Sequence, residues 1–227
     1  MRLLSIDTSG AVCSAAVFEQ ERLISEVYLH HHLNHSAVLM ELVDECLERA
    51  ECKLSQIDYF AVSIGPGSFT GLRIGIGTVK AFSQATSKGI AAVSSLDLLA
   101  QNAPEQRGVV CALMDARNRR VFAAIYENGR KILEDCVLDL GELKARFLPN
   151  QPIYFVGDGA LAYRDDLKKS FSDCAFAPSQ FCLQRASAAY PLALAAMQQG
   201  KLLTSQQAKL NYLVQSQAER NLKEKGQ

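Results

Sequence analysis

The stretch Ser63-Ile-Gly-Pro-Gly-Ser-Phe-Thr-Gly-Leu-Arg-Ile-Gly-Ile-Gly-Thr-Val-Lys80 constrains the fold more than any other part of the chain. It joins the end of an apolar run, Tyr59 to Ile64, to a run of helical period through Phe82, and five glycines fall from Gly65 to Gly77. Gly65-Pro66-Gly67 suits a tight turn, because glycine admits positive φ and proline presets φ near about −65°. Ser68 or Thr70 can cap the following helix, whose first free amides face whatever occupies the turn. The expectation is strand, glycine turn, helix. Each glycine inside that helix costs about 1 kcal/mol relative to alanine, so Gly71 and Gly75 imply a very close neighbour, either a partner helix or a ligand.

Upstream, Leu3 to Ile6 ends at Asp7-Thr8-Ser9-Gly10, Val12 to Phe18 follows, and Leu23 to Leu29 comes after a polar turn. Three strands in an antiparallel meander are predicted. The Asp7 turn gathers a carboxylate, two hydroxyls and a glycine amide, a set that suits a phosphate with its magnesium and equally suits a plain hairpin turn. His30-His-His-Leu-Asn-His35 holds all four histidines of the protein, ahead of a helix with Leu39, Leu42, Val43, Cys46, Leu47 and Ala50 at helical spacing. His31 and His35 would share a face only if that helix began early, and no carboxylate stands near them before Glu41. A polar helix entrance capped by Asn34 or Ser36 is preferred to a metal site.

Gly89 to Ser94 reads as a strand and Leu96 to Ala103 as a short helix ended by Pro104. Glu105-Gln-Arg-Gly108 is the expected boundary between lobes. The pattern then restarts: strands at Val109 to Met114, Val121 to Tyr126 and Ile132 to Leu138, a helix at Leu140 to Phe147, and a strand at Ile153 to Val156 ending in Gly157-Asp-Gly159. Asp115-Ala-Arg-Asn-Arg-Arg120 repeats the position of the Asp7 turn. Ala186 to Met197 reads as an alanine-rich helix started or kinked by Pro191, and Leu202 to Gln207 as a linker. The predicted lobes are residues 1–104 and 105–207, with 208–227 packing back on the first.

Formal charge is zero, which gives no bulk electrostatic reason to bind nucleic acid or an acidic membrane, so any RNA is expected to be held by a partner. Seven scattered cysteines without a CxxC pair suit core thiols in a reducing compartment. Asp7 interrupts the first apolar run before a signal-peptide core forms, and no run approaches the ~18 residues of a membrane span. A cytoplasmic protein is expected.

Named chemical motifs fail one after another. Leu72 follows Gly71 where a Walker A loop needs lysine, Thr70 stands where the dinucleotide fingerprint needs its third glycine, and the Gly-x-Ser-x-Gly elbow is absent. No histidine follows His35, so a serine or cysteine nucleophile would have to borrow its base from the early cluster. What remains is two Asp-bearing turns, Asp7 and Asp115, with glycine turns at Gly65 and Gly157. That is the arrangement of an actin-like ATPase fold, in which two related lobes face each other across a nucleotide cleft.

Ile6-Asp-Thr-Ser9, Gly65-Pro-Gly-Ser-Phe-Thr-Gly-Leu-Arg-Ile-Gly75 and Met114-Asp-Ala-Arg117 together resemble the TsaB (YeaZ) family, over Met1 to about Tyr212. The resemblance implies an actin-like (ASKHA, ribonuclease H-like) α/β fold of two lobes, each a mixed sheet flanked by helices. It implies a non-catalytic partner of TsaD, acting with TsaE in threonylcarbamoylation of adenosine 37 of tRNAs that read codons starting with A. ATP with magnesium would be used by those partners and tRNA met only through the complex. TsaD carries a His-x-x-x-His metal pair where this chain has Val93-Ser-Ser-Leu-Asp-Leu-Leu-Ala100, so no metal is expected. Asp7, Thr8, Ser9, Gly65, Gly67 and Asp115 then read as a vestigial nucleotide or phosphate cleft. Leu39, Val43, Ser68, Phe69, Gly71, Leu72, Gly75, Ile76 and Val79 read as a helical interface to TsaD, or to a second copy when the chain is isolated. Two alternatives stay open: an independent actin-like ATPase or phosphotransferase, and a peptidase-like protein, suggested by the family's older classification.

Overall fold

The computed structural model describes residues 1–30, 34–103 and 108–214. Strands β1 (Arg2–Asp7), β2 (Val12–Glu19) and β3 (Arg22–His30) form the meander, and β4 (Tyr59–Ser63) and β5 (Gly89–Val93) extend it in parallel on the other side of β1. The order is β3-β2-β1-β4-β5. Strands β6 (Val109–Asp115), β7 (Arg120–Glu127), β8 (Arg130–Asp139), β9 (Ile153–Val156) and β10 (Cys174–Phe176) repeat the same topology as β8-β7-β6-β9-β10. β4 is buried at every position and accordingly reads as an unbroken apolar run. These two mixed sheets, each flanked by helices, match the fold expected from the two Asp-bearing turns.

Helices α1 (His35–Arg49) and α2 (Phe69–Thr86) cover one face of the first sheet, where Leu4, Ile6, Leu39, Val43, Phe60, Val62, Ile76 and Val79 share one core. Ser68 is the cap of α2, accepting from Gly71 N at 3.2 Å. Asn34 stands at the start of α1 without a side-chain capping bond.

The domain division differs from the expected one in two ways. Residues 186–198 belong to the first lobe: Ala186, Ala189 and Ala193, the last on α6 (Tyr190–Gln198), are buried against Leu3, Phe18, Tyr59 and Ala91. The chain thus returns at Ala186 rather than at 208, and Leu203 of the expected linker pairs with Ile90. Small alanines pack on any flat apolar face, so their sequence does not say which sheet they cover. Conversely α3 (Ser95–Gln101), which precedes the expected boundary, buries Leu96 and Leu99 against Ala112, Met114 and Val156 of the second sheet. Most of the boundary tetrapeptide, Glu105 to Arg107, lies outside the described residues.

The helix expected at Leu140 to Phe147 is a run of 3-10 turns, Leu140–Arg146. Helices α4 (Asp158–Ala162) and α5 (Arg164–Ser170) and strand β10 had no apolar period to announce them, since Leu167 is the one buried residue of α5. No described helix is long and apolar enough to cross a membrane.

Candidate functional site

Gly67, just before α2, and Gly71 and Gly75 within it have a close neighbour, and it is the chain's own β1–β2 turn. A Cβ built at Gly67 would stand 2.2 Å from Ser9 O, at Gly71 2.1 Å from Thr8 O, and at Gly75 2.4 Å from Thr8 Oγ1. Thr8 Oγ1 donates to Gly71 O at 2.8 Å, and Ser68 N donates to Ser9 O at 2.7 Å. Glycines at positions 67, 71 and 75 therefore form a groove in which Thr8 and Ser9 lie. His35 closes the same corner, its Nε2 3.0 Å from Gly10 O.

This corrects the expected interface. Leu39, Val43, Leu72, Ile76 and Val79 are all buried inside the lobe, and Gly71 and Gly75 are taken up by Thr8. The outward face of α2 is carried instead by Arg73, Gly77 and Ala81. A Cβ at Gly77 meets nothing within 4 Å. Of the residues assigned to docking, Ser68 is exposed and Phe69 half-buried, and both line the cleft.

A cleft of about 560 Å³ separates the lobes. Ser9, Gly67, Ser68 and Phe69 line one wall, Asp115, Arg117, Arg120 and Asp158 the other, and Tyr212 to Val214 line it as well. Asp115 Oδ1 accepts from Arg117 N at 2.8 Å and from Tyr163 Oη at 2.9 Å, which fixes the start of a turn where Arg117, Asn118 and Arg119 all have positive φ. Asp158 opens α4, its Oδ1 accepting from Gly159 N at 3.0 Å, and burial pushes its carboxyl up to about 6.

The structure thus brings Ser9, Gly67 and Asp115 together at the cleft, while Asp7, Thr8 and Gly65 lie behind its wall. Asp7 is fully buried, accepts from Ser9 N at 3.2 Å and from Ser9 Oγ, and burial raises its pKa. Gly65, at φ +118°, lies under the Asn211 carbonyl. Magnesium nucleotide does not fit this wall. The first carboxylate is sealed from the cleft, the Ser68 amide that would meet a phosphate is occupied by Ser9 O, Arg73 of α2 stacks 3.8 Å from the Phe69 ring centroid, and the cations that line the cleft, Arg117 and Arg120, stand on the opposite wall. Among the described residues no group of three His, Cys, Asp or Glu is arranged to hold a metal ion, and His31 lies outside them.

Sequence reasoning missed Asp158, Tyr212 and Gln184. Asp158 was signalled by Gly157-Asp-Gly159, the counterpart of the Gly65 turn. Gln184 is fully buried against Gly10 with neither side-chain polar atom bonded. It had no signal, since it lies in a segment with no period.

Residues 29–223 match the family model for TsaD, tRNA N6-adenosine threonylcarbamoyltransferase. The Bacillus subtilis tRNA threonylcarbamoyladenosine biosynthesis protein TsaB is 31% identical over 69% of this chain and 71% of its own length. The chain belongs to the TsaB family. A solved TsaB relative, YeaZ from Pseudomonas aeruginosa, superposes with a TM-score of 0.77 at 29% identity over 93% of this chain and 99% of that one. The ethanolamine utilization protein EutJ of Carboxydothermus hydrogenoformans, at 10% identity and a TM-score of 0.57 over 85% of this chain and 90% of that one, shares the fold alone. TsaB membership places the chain in tRNA threonylcarbamoyladenosine biosynthesis.

Proposed function

We propose that this chain is the non-catalytic scaffold and activator subunit that works with TsaD and TsaE in N6-threonylcarbamoylation of adenosine 37 in tRNAs reading codons that start with A. The observation that carries the reading is the sealed wall of the cleft. Asp7 and the Ser68 amide, the two groups an actin-like enzyme would turn toward magnesium and phosphate, are both satisfied within the first lobe. A chain that keeps the fold and spends these groups on its own packing is suited to holding a catalytic relative rather than to turnover. The docking face in this reading is the exposed side of α2 around Gly77 and Ala81. ATP with magnesium is used by TsaD and TsaE, tRNA is met through the complex, and the isolated chain pairs with itself through the same face.

The test is reconstitution of the tRNA modification from TsaD, TsaE and the threonylcarbamoyl-adenylate synthase, with and without this chain. Modification that needs this chain, and that falls when Gly77→Leu or Ala81→Arg blocks co-elution with TsaD, is the expected result. Full modification in its absence refutes the reading. The competing reading, an independent actin-like ATPase, predicts ATP hydrolysis by the isolated chain that Asp7→Asn removes.

A further inference from the structure

Gln184 lies on the chain segment that crosses back from the second lobe to the first. It is fully buried, and neither Oε1 nor Nε2 is bonded to another protein atom. Its neighbours are pinned, so the side chain has no path to solvent. Leu183 O accepts from Asn102 Nδ2 at 3.0 Å, and Arg185 pairs with Glu26. Ala186 bonds twice to the first sheet, its N donating to Ser14 Oγ at 3.0 Å and its O accepting from Ser5 Oγ at 2.7 Å. Burying an amide without partners is costly, and native cores supply them from protein or from ordered water.

The groups beneath this amide belong to the Asp7 turn. Asp7 and Ser14 stand directly opposite in the β1–β2 ladder, so their side chains share one face of the sheet, the face on which Ala186 lies. Gln184 comes two residues before Ala186, and its amide rests against Gly10, where a built Cβ would meet Oε1 at 2.3 Å and Nε2 at 3.2 Å. The fully buried Asp7 carboxyl accepts from Ser9 N and Oγ and has no ion-pair partner among the described residues. Ser63 follows Val62, the partner of Ile6, and its hydroxyl stands beside the same carboxyl. A carboxylate has about four lone-pair sites, which leaves capacity here for a further donor.

A small cation or a water could join such a carboxyl to an amide. The Nε2 hydrogens decide between them, because they would face the positive charge of a cation. Water accepts from Nε2 and donates to a carboxyl oxygen, within the two to four bonds that hold a buried water. We propose that Gln184, Asp7 and Ser63 bind a buried water that ties the crossing between the lobes to the Asp7 turn. The carboxylate that an actin-like enzyme would turn toward magnesium then serves the chain's own architecture.

Crystals of the full chain at a resolution that shows ordered water test the site directly. The expected result is a density peak within hydrogen-bond distance, about 2.7–3.2 Å, of both the Gln184 amide and the Asp7 carboxyl. No such peak, with the amide bonded straight to protein groups, overturns the proposal, as does a peak that rubidium replaces on soaking. In solution, Gln184→Met puts an apolar side chain of similar length in place of the amide. Loss of the water's partner strands Asp7 and should raise the unfolding equilibrium constant in urea by about tenfold. An idle amide predicts equal or greater stability for Gln184→Met, and that outcome rejects the site. Asp7→Asn and Gln184→Met together should cost less than the sum of their separate effects, and strict additivity would break the link between the two residues.

Discussion

Three alanine substitutions in one helix separate the intramolecular role of the α2 glycines from any docking role. Gly71, Gly75 and Gly77 share the same helix, so replacement by alanine brings each a similar gain in helix propensity, about 1 kcal/mol. At Gly77 nothing opposes that gain, because the new methyl meets no atom within 4 Å. Gly77→Ala should raise the melting temperature by about 2–4 °C. At Gly71 the methyl would lie 2.1 Å from Thr8 O, a backbone atom of the residue that follows the last β1–β2 pair, Asp7 with Ser14. Overpacking against such an atom costs about 1–3 kcal/mol, here at the upper end, which leaves a net loss of about 2 kcal/mol and a fall of about 4–8 °C. At Gly75 the opposing atom is Thr8 Oγ1 at 2.4 Å, which can be removed. Thr8→Ala should therefore relieve Gly75→Ala, with a coupling of about 1 kcal/mol or more, and leave Gly71→Ala unrelieved. Calorimetry on the single and double variants reads all of these. Equal stability of Gly71→Ala and Gly77→Ala, or equal relief of Gly71→Ala and Gly75→Ala by Thr8→Ala, would refute the packing described here.

Three further outcomes follow from other contacts. Gly10→Ala places a methyl 2.3 Å from Gln184 Oε1, and urea unfolding should show a loss of about 1–2 kcal/mol that disappears in a Gln184→Ala background. Asp158, whose usual value of 3.8 is raised to about 6, holds its proton more tightly folded than unfolded, so raising pH through about 4 to 6 lowers stability, by up to about 3 kcal/mol. Asp158→Asn should abolish that slope and raise the melting temperature at neutral pH, and an unaltered slope would assign it to another group. Lys131 Nζ bridges Asp97 and Asp135 at 2.7 Å each, and Tyr126 Oη donates to Asp97 at 2.6 Å. Lys131→Met, which strands two carboxylates, should cost about 3 kcal/mol against about 1–2 for Tyr126→Phe, as measured by urea unfolding.

Strand and helix positions in both lobes were legible because β4, β9 and α2 carry strong apolar runs or periods between glycine turns. The repeat of the two lobes was legible for the same reason, although no residues repeat. The role of the α2 glycines was only half legible. Their spacing demands a close neighbour, but a single sequence does not distinguish a neighbour from outside from Thr8, more than sixty positions away. The apolar stripe Leu39, Val43, Leu72, Ile76 and Val79 was misplaced on the surface for a related reason, since a helix that packs on its own sheet and one that packs on a partner show the same period. The cleft was harder still to read. Asp7 and Asp115 occupy equivalent turns, yet one is sealed and the other exposed, a difference set by Ser9, Ser68 and the glycine groove rather than by the aspartates.

That asymmetry bears on how the two walls of the cleft are held. In a hinged enzyme two lobes close on the ligand and pivot on residues with few cross-contacts. Here Leu96 and Leu99 of α3 are buried in the second lobe, and Ser94 and Asp97 join Tyr126, Lys131 and Asp135 in one polar network. Opening the lobes at that edge would expose the leucines and strand the charges, so the angle between the sheets is held by a shared core. The other crossing, at residues 182–186, is fixed by buried Cys182 and Ala186 on either side of Gln184. With both connections packed, the two lobes are joined through buried cores on each side of the cleft. A rigid pair of lobes keeps the outer face of α2 and the cleft in one fixed relation, which suits a chain that positions a partner better than one that closes around a substrate.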